Sequence, residues 1–480
     1  MLHVQSILHL NKIMSVNTGR IFRKIFKRYL HGISLIALLL ISSNTFAQKE
    51  ITIENVDSLT LEYFDNGQWK KLVRAGEKAL DNGIESYLLR MRLGTAYFEL
   101  ENYFDAIPHF EKAVSTGYSD GVVKQKLYES YIYAGREEDA NVVLFEMTEN
   151  RRNKLRPLIN DFINDARFDI GSSFSNDDAS NGSIDLVGQD NAYGEQTINR
   201  GQFFFDVGIG QLPLRWFKIN YAYTYVNKDL QKQIMFNNEK ILNDYKQKQG
   251  RLFNEFRFVP VNSLMISPSG HYIKSEETVV WVDGFEKDSL GYYYTLKDTS
   301  IKQDDFVLSL SVNKWISIFN PGISGSFSYL NGTHQSQIGL SIKVYPLSNP
   351  YLSVFSNAVI HNQNSVSNLI FTQTAEGRII ENLWLEGFAT FGNISNYNEH
   401  NGRVVYNDPD MIKLSYGAML RYAFPFNMTA KLIFSGQNRE KKIITNTISG
   451  YQNNLPVYTR QTTTAEYNFN SIALGLKYDF

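Results

Sequence analysis

The 480-residue chain contains no cysteine. That excludes disulfides, thiolate-ligated zinc, a thiol nucleophile and a lipid-modified N-terminal cysteine. Proline is scarce, at 11 residues. No apolar run reaches the roughly 18 residues of a membrane-spanning helix. There is also no excess of charge: 48 Lys and Arg face 49 Asp and Glu, a net of −1. A nucleic-acid binder would carry a basic excess, so that partner class is excluded. What is abundant is aromatic surface, with 29 Tyr and 32 Phe.

The charge balance is uneven along the chain. Residues 1–47 hold six basic residues (Lys12, Arg20, Arg23, Lys24, Lys27 and Arg28) and no acid. Without them, 42 basic residues face 49 acidic ones, a net of −7. The same segment carries a short apolar run at Ile33–Ile41 and a small residue at Ala47. A basic stretch, a short apolar run and a small-residue end are the layout of a secretory signal. Residues 1–47 are therefore expected to be an export signal, with Met14 a plausible start. Having no cysteine at the cleavage point, the product is expected to lack a lipid anchor.

The pattern over residues 53–154 repeats every 34 residues. Tyr63, Tyr97 and Tyr131 fall in one column, and Leu59, Leu93 and Leu127 in another. Leu72, Ala106 and Ala140 follow, then Ala79, Ala113 and Met147. The middle unit is the clearest, with Leu93-Gly94-x-x-Tyr97 followed by Ala106, Phe110 and Ala113. Small residues let antiparallel helices approach and large ones fill the space between them. Gly76 and Tyr128 depart from the pattern in the outer units, as terminal repeats commonly do. The period and the small/large order resemble the tetratricopeptide repeat. That resemblance implies a helical solenoid of about three units that binds protein partners. The inner face would carry Leu88, Met91, Thr95, Phe98, Val122, Gln125, Glu129 and Tyr133. The alternative is a rigid spacer in which these side chains merely pack.

From residue 166 to 480 the period changes to two. Phe306-Leu308-Leu310-Val312 alternates with Val307-Ser309-Ser311-Asn313, and Ile338-Leu340-Ile342-Val344 with Gly339-Ser341-Lys343. The chain ends on Ile472-Leu474-Leu476-Tyr478-Phe480. Long two-faced strands of this kind are the signature of a transmembrane β-barrel. Fourteen strands are expected, near 166–176, 200–212, 216–228, 250–260, 263–275, 304–315, 322–331, 334–346, 350–361, 366–378, 383–393, 412–424, 427–438 and 467–480. The range of twelve to sixteen stays open. The intervening segments 177–199, 229–249, 276–303, 394–411 and 439–466 read as long polar loops, alternating with short turns. In an outer-membrane barrel the short turns face the periplasm, which places the repeats there too. The final strand, ending in an aromatic residue, resembles the signal read by the outer-membrane assembly machinery.

The fold class expected is thus α plus transmembrane β: a short helical solenoid followed by an antiparallel outer-membrane barrel in contact with lipid. The apolar parity faces lipid. The other parity faces the lumen and carries Lys218, Arg251, Arg257, Lys343, Lys413, Arg421, Lys431 and Lys477 against Asp169, Asp206, Glu255, Glu386 and Asp479. Such charges either bind solutes or pair with one another to stiffen the interior. No cofactor or metal motif is present, and His271, His334, His361 and His400 are scattered, so no catalytic residue is expected. The order of signal, repeats and barrel is similar to exopolysaccharide-secretion porins, surface lipoprotein assembly modulators and YaiO-like barrels. Those resemblances imply export of a polysaccharide or a surface protein, with a periplasmic partner bound by the repeats. A non-conducting anchor for an envelope complex, or a rim enzyme, are the alternatives.

Overall fold

A computed structural model describes residues 51–116, 121–155, 163–187, 191–236, 239–287, 292–452 and 455–480. The expected signal, 1–47, lies outside the described residues. From Val56 to Phe480 the chain forms one compact unit.

Among the described residues, seven helices precede the strands: α1 (Ile53–Asp65), α2 (Trp69–Asp81), α3 (Tyr87–Glu99), α4 (Tyr103–Ser115), α5 (Gly121–Tyr133), α6 (Glu137–Phe145) and α7 (Glu149–Leu155). Helices α1, α3 and α5 start 34 residues apart, and so do α2, α4 and α6. Two further features recur at the same interval. Gly67, Glu101 and Gly135, each in an inter-helix turn, adopt positive φ of 61°, 61° and 71°. The Tyr97 hydroxyl donates to Glu77 at 3.1 Å, and the Tyr131 hydroxyl donates to Glu111. Gly76 and Gly94 are tight approaches: a Cβ there would lie 2.6 Å from Leu93 and 2.7 Å from Phe110. Small residues therefore let consecutive helices close up, as the pattern requires. Leu72, Leu93, Phe110, Tyr131 and Leu144 are fully buried in the result. At the start of α3 the Ser86 hydroxyl accepts from the Leu89 N–H at 3.1 Å, a cap of the kind that contributes about 1 kcal/mol.

Fourteen antiparallel strands close into a barrel. They are β1 (Asp165–Ser175), β2 (Asn191–Leu214), β3 (Phe217–Phe236), β4 (Glu239–Val261), β5 (Leu264–Lys287), β6 (Tyr292–Lys314), β7 (Phe319–Leu330), β8 (Thr333–Val344), β9 (Leu352–Gln363), β10 (Val366–Ile380), β11 (Leu383–Ile394), β14 (Met411–Ala423), β15 (Met428–Gln452) and β16 (Leu455–Asp479). Two short strands, β12 (Tyr397–Glu399) and β13 (Val404–Tyr406), form a separate hairpin. A five-residue helix, α8 (Asp177–Asn181), follows β1. Closure is made by β1 against β16, in register from Asp165↔Asp479 to Ser175↔Phe469. A closed barrel leaves no unpaired edge, which a strand sheet in lipid requires.

The alternation is visible in exposure. On β6, Leu308 and Leu310 are 57% and 48% exposed while Val307 and Ser309, the alternating positions, are 1% and 9% exposed. On β8, Ile338 and Leu340 point outward at 62% and 65%. The outward apolar face spans the barrel, and the polar residues point in.

All fourteen expected strands occur, but five expected loops do not. Strands β2 to β6 run 20–24 residues, and β15 and β16 run 25 each, so segments 229–249, 276–303 and 439–466 are largely strand, while 177–199 holds α8 and the start of β2. Hairpins continuing beyond the apolar belt lose their hydrophobic alternation, because both faces can be polar, and so read as loops. Above the end of β1 the β15–β16 hairpin leans across, and Ile444–Thr447 of β15 pairs with Asn191–Glu195 of β2. The fifth segment, 394–411, is not an external solvated loop: Tyr397 is fully buried, and Asn398, Val405 and Asn407 nearly so.

Candidate functional site

The buried segment 394–411 folds into the lumen. Its β12–β13 hairpin pairs Tyr397↔Tyr406, Asn398↔Val405 and Glu399↔Val404. The turn between them has three consecutive positive φ values, at His400, Asn401 and Gly402 (50°, 56° and 80°). Asn, His and Gly tolerate that region best, so these residue types suit the turn.

The hairpin is fastened to one wall, β4 to β11. The Asn401 amide donates to Glu255 (3.2 Å) and to the Ser267 carbonyl (2.9 Å), and its Oδ1 accepts from the Ser309 hydroxyl (3.0 Å). His271 Nδ1 donates to the Gly402 carbonyl at 2.8 Å. Glu399 accepts from the hydroxyls of Thr372, Thr390 and Tyr406, each at 3.1 Å. Val405 packs with Ile273, Val307 and Leu330, and Tyr397 with Val359, Ile370 and Ile412. Beyond the hairpin, Asp408 is held between Lys228 and Arg439 (3.0 Å). At the mouth, α8 is tied in by the fully buried pair Lys441–Asp177, at 2.6 Å. Buried carboxylates with matched cations of this kind are costly to break singly.

The opposite wall, β16–β1–β2, is lined by small residues. Gly171, Ser173, Gly208, Gly210, Ser471, Ala473 and Gly475 share the inward parity. Between this wall and the hairpin lies a cavity of about 510 Å³, lined by Arg167, Phe204, Val226, Arg251, Lys431 and Phe469 among others.

Nearer the short-turn end is a second cavity of about 390 Å³. Its lining mixes Arg167, Lys218, Glu255, Arg257, Arg403 and Lys477 with Gly135, Glu137 and Glu138 from the helices. The helices thus cap this end of the barrel. Glu138 pairs with Arg257 at 3.1 Å, and Glu137 with Lys218 at 3.8 Å. Burial alone would raise the Glu138 carboxyl, but Arg257 and Lys218 outweigh it and hold it below the ordinary glutamate range. Around the cap, Phe104 packs on Tyr345 (4.6 Å) and Trp315 (5.4 Å). The Ser263 N–H donates to Asp139 at 2.8 Å, and Arg136 donates to the Ser263 hydroxyl at 2.7 Å.

The expected lumen charges divide as follows. Lys218, Glu255 and Arg257 meet at the lower cavity. Arg251 donates to Gln249 (2.6 Å) and Asn407 (3.0 Å) beside the hairpin. Lys431 pairs with Asp169 at 3.0 Å. Lys343 lies 5.3 Å from the Tyr345 ring, and Arg421 pairs with Glu376 over Trp384. Lys413 is a correction: it points out of the barrel, where it pairs with Glu440 (2.5 Å) and Glu466 (2.9 Å). The cause is a bulge between Ile412 and Leu414, which shifts the parity by one and turns Ile412 inward. In the helices, Met91 packs on the core and the Thr95 hydroxyl donates to its carbonyl at 2.9 Å. Phe98 meets Tyr103 and Tyr133 edge-on, and Gln125 donates to Glu129 at 2.9 Å.

Sequence reasoning missed Arg167, which the alternation placing Asp169 inward on β1 also places inward. It missed Arg403 and Asp408 because 394–411 has no periodicity, and Arg439 because β15 extends past its apolar part. Among the described residues, no group of three or more His, Asp or Glu is placed to hold a metal ion.

No family model and no curated protein matches the sequence. Among solved structures, the barrel is similar to a Pseudomonas aeruginosa FadL homologue (10% identity, TM-score 0.39, covering 67% of this chain and 91% of that one). It is similar to the Ralstonia pickettii toluene transporter TbuX (8%, 0.40, 68% and 93%). The KdgM porin gives 11% identity and a TM-score of 0.26 over 49% of this chain and 95% of that one. At such scores the likeness carries no argument; the closed barrel rests on its own strand pairing.

Proposed function

We propose that the chain is an outer-membrane transport protein in which the barrel passes or displays a substrate and the helices recruit a periplasmic partner. One observation carries this reading: a closed barrel, apolar outside, that encloses charged cavities along one wall. Lipid accounts for the outer face and solute for the inner one. The short-turn end and the helical cap then lie in the periplasm, and residues 1–47 are the export signal. The 34-residue recurrence of helix starts, left-handed turn residues and Tyr–Glu bonds supports the tetratricopeptide reading of residues 53–154. Met91, Thr95, Phe98, Gln125, Glu129 and Tyr133 are then the partner face. The substrate class is a polysaccharide or a surface protein. Because the hairpin occupies the lumen, passage requires at least the hairpin to move.

Planar-bilayer recording tests this. The intact chain is expected to be silent, and a chain lacking residues 396–409 to conduct. Silence from both would overturn transport and leave the second reading, a non-conducting anchor for an envelope complex. That reading is favoured by the ion-paired interior, in which Asp408, Asp177 and Glu138 are each held by cations.

A further inference from the structure

Three carboxylates line the upper cavity, Asp169, Asp206 and Asp408, against five cations: Arg167, Arg251, Arg403, Lys431 and Arg439. Each carboxylate is already committed. Asp408 serves Lys228 and Arg439, and Asp169 serves Lys431. Asp206 accepts from Arg403 at 2.5 Å and from the Thr224 hydroxyl at 2.5 Å. Arg251 satisfies itself on amide and carbonyl oxygens. Arg167 is left over. Its Nε is buried and has no hydrogen-bond partner among the described residues, and its contact with Asp206 is stretched to 4.0 Å.

The fold makes room for this guanidinium. Arg167 on β1 stands opposite Gly208 on β2, where a Cβ would lie 2.3 Å from its Nε. Arg167 and Arg403 line both cavities, so they stand where the two meet. Around the upper cavity, Phe204, Val226, Ile433 and Phe469 add an apolar surface. Arg167 stays 29% exposed, with only a stretched contact to Asp206, and a planar guanidinium with free N–H groups takes a carboxylate through two parallel bonds. A volume of about 510 Å³ suits a small organic body.

We propose that this cavity binds a small carboxylate-bearing solute with a ring-sized apolar body, its carboxylate on Arg167 and its body against Phe204 and Ile433. The site deepens the transport reading and rests on it for its purpose, since it lies along the passage beside the bare wall.

The test is calorimetric titration of the full chain, folded in detergent, with benzoate and with benzamide, its near-isosteric neutral counterpart. Benzoate is expected to bind, and benzamide to bind about tenfold more weakly or less, the order expected for a charge-assisted pair. Arg167→Gln is expected to reduce benzoate affinity about tenfold or more, with the β circular-dichroism spectrum unchanged. Lys302→Gln, at an exposed position paired with Glu276, leaves affinity as it was. Equal affinity for the two probes, no heat with benzoate, or a folded Arg167→Gln chain that binds as the parent does would overturn the site. Benzoate binding by a chain whose hairpin-deleted form is silent in bilayers keeps the site and sinks transport. Conduction without preference for benzoate does the reverse.

Discussion

The two walls of the lumen are built from opposite materials. The wall from β4 to β11 presents hydroxyls, amides and branched apolar side chains, and the hairpin Tyr397–Tyr406 is seated on it. The wall of β16, β1 and β2 presents Gly171, Gly208, Gly210, Ala473 and Gly475; the tip of Arg403 reaches Asp206 there, and nearer the mouth α8 docks on Gln196, Asn199 and Glu466. The first wall specifies an occupant through satisfied polar contacts. At the second, missing side chains make room for neighbours of the same sheet: Phe204 lies over Gly171, Arg167 over Gly208 and Asp165 over Gly210. A lumen filled evenly would be only a stiffened core; the asymmetry leaves two cavities beside the hairpin, and Arg167 stands where they meet.

The largest effect is expected at the latch of the occupied wall. Asp408→Asn leaves Lys228 and Arg439, both nearly fully buried, with no carboxylate between them. Breaking such a pair by removing one partner costs about 3–5 kcal/mol. The cost should fall on the hairpin rather than the barrel. Amides of 397–406 are expected to lose protection from hydrogen exchange, while β8 and β9 keep theirs. Equal loss across the barrel would mean that the hairpin and the wall are one cooperative unit, and the contrast between the walls would fail.

The bare wall is probed by filling it. Gly208→Leu places a side chain where the Arg167 guanidinium lies, and overpacking of that kind costs about 1–3 kcal/mol. Urea unfolding is expected to show that loss, and benzoate binding to vanish with the space. If Gly208→Leu is neutral in both, the glycine is incidental and the cavity is not specified by this wall.

How much of this contrast was legible beforehand depended on periodicity. The fourteen strands were readable because each crosses an apolar environment on one face, so residues such as Leu308 and Leu340 recur at every second place. The helical pattern was readable for the same reason, with Tyr63, Tyr97 and Tyr131, and Leu59, Leu93 and Leu127, recurring every 34 residues. The strand extensions were not readable: past the apolar belt both faces can be polar. The hairpin was unreadable in a deeper sense. Asn398, Asn401, Asn407 and Asp408 are loop-forming types, and their burial depends on partners far off in sequence, such as Ser309 and Arg439. Lys413 shows the remaining failure, since one bulged residue reverses every parity inferred from it.

The smallest effect concerns the floor beneath both walls, where the helical cap meets the barrel. Glu138 faces Arg257 and Lys218, with Glu255 and Glu137 beside them and the Arg136–Asp139 pair docked on Ser263. Its carboxyl is held below the ordinary value of 4.5, so the folded state favours the ionised form. The stabilisation is therefore fully present above that value and is lost as pH falls through the lower, folded value. Helix α6 is expected to stay docked at neutral pH and to become accessible to protease as pH falls through that lowered value and the carboxylate protonates, with the barrel intact. Glu138→Gln should weaken docking at neutral pH and flatten this dependence. A parent chain whose α6 is equally protected at pH 7 and pH 3 would show that docking rests on the aromatic contacts of Phe104 with Trp315 and Tyr345 rather than on charge. The floor would then resemble the occupied wall, held by packing, instead of being a charge-controlled end to the two cavities.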